Sequence, residues 1–128
     1  MIKKMAVRLL AASALVFCGH ASAEINVGAY REFQKDPVVK DKVADYVIGV
    51  GRGVFWANVM LRYRGQKQLF CMPEKLALDG PLIESLLDQE IRNPANGVPY
   101  QDDASIELIV LRALESRFPC PEPRAAAK

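Results

Sequence analysis

The chain reads as all-α: a small single-domain helical bundle closed by one disulfide. Three observations predict this. Apolar residues recur in steps of three and four over long stretches. Asp, Pro and Gly stand where such stretches begin and end. Two cysteines, Cys71 and Cys120, remain once a removable leader is set aside.

That leader is residues 1–23. Lys3, Lys4 and Arg8 form a positive start, Leu9 to Phe17 is apolar, and Ala21-Ser22-Ala23 is a small-residue cleavage site. This is the pattern of a secretory signal peptide. The apolar run is too short for a membrane span, which needs roughly 20 residues, and no later stretch has that length. A lipoprotein reading would lipidate Cys18, but Leu15-Val16-Phe17 lacks the small residue such a site wants. The expected location is the periplasm. The helical domain is then 24–120, with a flexible tail at 121–128.

Removing the leader takes away the only histidine, His20, and three cations, leaving 14 Lys and Arg against 15 acids. With no basic excess and no aromatic-basic interleaving, nucleic acid is not an expected partner. The cysteine pair most simply forms a disulfide in an oxidising compartment. It would close a loop of about 50 residues, worth on the order of 4 kcal/mol in the chain-entropy model.

Each helix has its own punctuation. Ala29 to Lys35 is predicted as a short helix whose Tyr30 and Phe33 cover one end of the core. The longest stripe runs from Pro37 to Tyr63, with Asp36 as N-cap and Pro37 at the first helical position. Its apolar positions are Val39, Val43, Tyr46 or Val47, Val50, Val54, Ala57 and Leu61. Gly49 and Gly53 share a face, where a neighbouring helix could come close. IGVGRGVFWANV lacks phosphate-loop spacing.

Gly65 is the expected stop. Arg62, Arg64 and Lys67 would complement the helix dipole; an acidic-partner contact is the alternative. Gln68 to Gly80 is extended around Cys71. Asp79 or Gly80 opens the next helix, Pro81 to Arg92, which Asn93-Pro94 ends. Asn93 to Gln101 is a loop. Asp102 or Asp103 caps the last helix, Ala104 to Arg117, with Glu107 as the acid near its N-terminus.

Without a histidine after the leader, a Ser-His-Asp or Cys-His triad and a histidine zinc site are excluded. There is no CxxC spacing for redox work. Asp88 and Glu90 read as a solvated helix face, and Asp102-Asp103 as capping residues. No catalytic residue, metal or cofactor is expected, and an enzyme is the least favoured class. Trp56 reads first as an aromatic core anchor, with Asn58 bonding a loop backbone; the alternative for Trp56 is a partner hot spot. Tyr100 reads as an exposed aromatic contact in its loop.

Four strings occur in order: YVIGVGRGVFWANV (Tyr46 to Val59), FCMPE (Phe70 to Glu74), LIESLLDQEIRNP (Leu82 to Pro94), and Ala104 through LRALESRFPC to Cys120. This framework, covering about Val38 to Cys120, resembles the Rap/Tai family of periplasmic immunity proteins, which protect bacteria from type VI secretion effectors. The resemblance implies an all-helical, disulfide-bonded, non-catalytic inhibitor. Its partner would be a cognate secreted effector, a peptidoglycan amidase for known members, and members often form homodimers. Only Cys71 and Cys120 carry over as residues, in a structural role.

The expected mechanism is occlusion of an effector's active site by a loop presenting Asn96, Tyr100 and Gln101. On that basis Tyr100→Ala would weaken binding without unfolding the domain. The alternative is a small helical periplasmic stress chaperone that exposes apolar surface when its carboxylates protonate. The balanced charge and missing histidine sensor argue against it.

Overall fold

A computed structural model describes residues 24–122. The expected leader lies outside the described residues, as does the tail beyond Glu122. Four helices follow in order: α1 (Val27–Phe33), α2 (Pro37–Tyr63), α3 (Gly80–Arg92) and α4 (Ile106–Arg117). Helices α3 and α4 pack on each other, and both pack on α2. Among the described residues no helix is long and apolar enough to cross a membrane.

The punctuation works as its chemistry requires. The Asp36 carboxylate accepts from Val38 N at 2.9 Å and Val39 N at 3.3 Å, starting α2 at Pro37. Asp79 accepts from Leu82 N at 3.0 Å and starts α3. At the end of α2, Gly65 takes φ +66°. Gln66 N then donates to Leu61 O at 2.9 Å and Gly65 N to Arg62 O at 3.0 Å, a Schellman closure.

Two helix starts differ from the local reading. Helix α1 begins at Val27, because Asn26 caps it through a 2.8 Å bond from Ala29 N. Helix α4 begins at Ile106, capped by Ser105 and not by Asp102 or Asp103. Residues 102–105 are held out of the helix by the N-terminal segment. Gly28 N bonds Asp102 O and Val27 N bonds Ala104 O, each at 2.9 Å, beside an isolated bridge from Asn26 to Ser105. Such pairing between distant parts of the chain leaves no local trace.

The core collects Val27 and Tyr30 from α1, Val43 and Val47 from α2, and Phe70 from the connector between α2 and α3, residues 64–79. Ile83, Leu86 and Leu87 join from α3, then Ile106, Ile109, Val110 and Leu114 from α4. The buried line of α2 is Val43, Val47, Gly51 and Asn58, rotated from the apolar stripe. Ala57 is exposed.

The glycine roles are also redistributed. Gly49 and Gly53 face open space, whereas a Cβ at Gly51 would lie 2.7 Å from Ile83 Cδ1. Gly80, first residue of α3, meets Ile48 in the same way, also at 2.7 Å. The α2–α3 contact therefore runs through Gly51 and Gly80.

Three tyrosine hydroxyls tie elements together by donating to carboxylates. Tyr30 of α1 bonds Asp88 of α3 at 2.8 Å, Tyr46 of α2 bonds Glu107 of α4, and Tyr100 bonds Glu90 of α3 at 2.9 Å. Asp88 and Glu90 are thus not a solvated face. Glu90 is buried, because the loop after α3 folds back and gives it Ala95 N as well as Tyr100.

Candidate partner-binding surface

The C-terminal half of α2 and the connector that follows it form the most distinctive surface. Asn58 builds its floor. Its Nδ2 donates to Phe70 O at 2.8 Å, and its Oδ1 accepts from Leu69 N at 2.7 Å and Phe70 N at 3.4 Å. A buried amide with donor and acceptor both satisfied is a specific clasp, and the expected loop-backbone role of Asn58 is what the structure has. One residue on, Cys71 N donates to Phe118 O at 2.8 Å and the Cys71–Cys120 disulfide closes. The connector is therefore held on one side by α2 and on the other by the end of α4.

Between them lies a groove of about 570 Å³, walled by Phe55, Val59 and Arg62 of α2 and by Phe70, Met72 and Leu76 of the connector. Trp56, Met60 and Tyr63 form an exposed ridge along the same half of α2, at 63%, 48% and 81% exposure. Trp56 packs edge-on against Phe55, with ring centroids 5.5 Å apart. It is not the core anchor that the sequence suggests. With Gly51 and Asn58 pointing inward, Trp56 turns outward, and the signal for this lay in two buried residues that an apolar stripe does not count.

The ridge is also the basic part of the molecule. Residues 52–75 hold Arg52, Arg62, Arg64, Lys67 and Lys75 against one acid, Glu74. The rest of the described chain holds seven cations and fourteen acids. The two ion pairs among the described residues, Arg31–Asp102 at 2.6 Å and Lys35–Glu32 at 2.7 Å, leave this cluster untouched.

The loop residues singled out from the sequence fall elsewhere, beyond the end of α3. Asn96 is exposed, and its Oδ1 accepts from Val98 N at 3.0 Å in the turn that Gly97 allows with φ +71°. Gln101 is exposed as well. Tyr100 is half-buried and packs against the core. Burial and the bond to Glu90 both raise its pKa. It anchors the loop and is not a freely presented aromatic. Asn96 and Tyr100 line one shallow depression with Leu108 and Arg112; Tyr100 and Gln101 line another with Arg31 and Asp103.

The Glu107 carboxylate is committed to the fold. Burial alone would raise the Glu107 pKa, but it is lowered overall. Ser105, Tyr46 and backbone N–H groups, including that of Ile25, all donate to its carboxylate. Among the described residues no three His, Cys, Asp or Glu side chains are grouped closely enough to hold a metal ion. Comparison with protein-family models, curated proteins and solved structures gives no match for this chain.

Proposed function

We propose that this chain is a non-catalytic periplasmic immunity protein that binds a type VI secretion effector, a peptidoglycan amidase, and blocks its active site. The observation that carries the binding role is the rigidly backed ridge of Trp56, Met60 and Tyr63 beside an open groove. Exposed aromatic residues on a fixed scaffold are what protein interfaces use as anchors. The Cys71–Cys120 disulfide suits an oxidising compartment, and the leader pattern of residues 1–23 supplies the route there. The choice of an immunity role and of an amidase partner rests on the sequence framework that ends in Phe118-Pro119-Cys120. The second presenting element is the loop with Asn96 and Gln101 outermost and Tyr100 as its anchor.

The test is inhibition. The oxidised protein, exported from its own full-length gene, is titrated into amidase effectors of the type VI class while peptidoglycan cleavage is followed. Stoichiometric loss of cleavage, together with rescue of cells that receive the effector in the periplasm, supports the immunity role. Undiminished cleavage by every effector at saturating protein, without rescue, overturns it.

A further inference from the structure

Five of the eight exposed large hydrophobics among the described residues fall between positions 56 and 76: Trp56, Met60, Tyr63, Leu69 and Leu76. The same stretch carries the net positive charge described above, on a chain whose remainder is acidic. Apolar exposure and positive charge thus coincide in one stretch of the sequence, and Arg62 is the cation of that stretch on the groove, whose floor is pinned by Asn58 and by the disulfide.

We propose that this groove docks an acidic segment of a partner protein, seating one of its aromatic or branched aliphatic side chains between Phe55, Val59 and Met72. Carboxylates flanking that anchor meet the Arg62 rim. This partner chemistry rests on reading the chain as a binding protein. Three features select it. A groove of this size, with Phe55, Val59, Phe70 and Met72 as its apolar wall among polar neighbours, accepts a side chain with part of its backbone, the geometry by which an anchor residue is desolvated. The arginine fork pairs with carboxylates through two parallel bonds. A long polyanion such as nucleic acid would run past the groove onto the acidic remainder of the surface, whereas a short acidic segment ends within the basic zone. Glu74, the single acid on the groove, stands on the connector side and biases the partner's carboxylates toward α2.

The experiment is a selection of displayed random peptides on the oxidised protein, followed by affinity measurement of the enriched peptides. Trp56, the only tryptophan, packs edge-on against the groove residue Phe55, so its emission reports occupancy of the groove through that contact. The expected result is an acidic consensus with one aromatic or aliphatic anchor. Its affinity falls with salt, and Arg62→Glu and Tyr63→Ala each weaken it by at least about tenfold, or 1.4 kcal/mol. Both side chains are exposed, so the variants keep the parent's thermal midpoint, which is measured alongside. A basic or neutral consensus, no consensus, or binding indifferent to both variants overturns the proposal. So does a sedimentation result showing that two copies of the chain cover the ridge. Effector inhibition that persists undiminished in both variants sinks the groove while leaving the immunity role intact. Peptide binding without inhibition of any effector does the reverse.

Discussion

Ile83 lies against Gly51 so closely that three of its side-chain atoms would stand 2.7–2.9 Å from a Cβ at that position. Ile83 is itself buried, at 1% exposure, so it has little room to retreat. A methyl group there should overpack the α2–α3 interface, at about 1–3 kcal/mol, against a helix-propensity gain of up to about 1 kcal/mol. Gly53 lies two residues away in the same helix with nothing within 4 Å. Gly51→Ala should therefore destabilise and Gly53→Ala stabilise by about 0.5–1 kcal/mol. Urea midpoints of the two variants check this, and equal signs would remove the close-contact explanation.

Asn58 makes a second prediction. Replacing it with Leu removes three contacts and leaves the Phe70 carbonyl and two backbone N–H groups without their partner. A buried unsatisfied group costs about 1–3 kcal/mol, so the variant should lose about 2–4 kcal/mol. Hydrogen exchange at Leu69 and Phe70 should accelerate before the helix amides do.

The disulfide makes a third. Its sequence separation of 49 residues gives about 4 kcal/mol in the chain-entropy model. Reduction should lower the urea midpoint accordingly and loosen the connector next to the groove. Partner or peptide affinity should fall with it, measured in matched oxidised and reduced samples.

Protonation makes a fourth. Tyr46 is pushed up to about 12, first by its bond to Glu107 and then by burial. Tyr30 is raised further, chiefly by burial and then by Asp88. A tyrosine whose folded pKa lies above its unfolded value stabilises the fold fully below about pH 10 and loses that contribution as pH rises through the folded value. Stability should thus fall above about pH 10, and Tyr46→Phe should shrink the fall. Glu107 has the opposite sign. Its lowered pKa contributes stability above its unfolded value, lost as pH falls through the folded one. Denaturation midpoints across both limbs, with tyrosinate absorbance followed on the alkaline side, test both.

Trp56 and Tyr100 make the last pair. Trp56→Ala should cost less than about 1 kcal/mol, where a core tryptophan would cost about 3–5, and the parent's emission should be that of a solvated indole. Tyr100→Ala should do the contrary of the loop reading taken alone. By removing a partner of buried Glu90 it should lower stability as well as any affinity, by about 1–3 kcal/mol. A thermal melt of each variant decides.

What the sequence determined by itself is local. Asp36-Pro37, Asp79 with Pro81, Gly65 and Asn93-Pro94 mark helix ends because a cap, a fixed φ or a left-handed turn acts within a few residues. The cysteine count gave the staple, and the apolar period gave the helical class. The tertiary structure decided which face of α2 turns inward, because that depends on Ile83 reaching Gly51 and on Phe70 reaching Asn58, two inward positions without apolar side chains. It decided that Glu90 and Tyr100 hold a loop, and that α4 starts at Ser105, since those partners lie far apart in the chain or behind a turn. The ridge at Trp56 follows from the same choice. Hydrophobic burial has no direction of its own, so the packing partners across the core determined which large side chains were left outside.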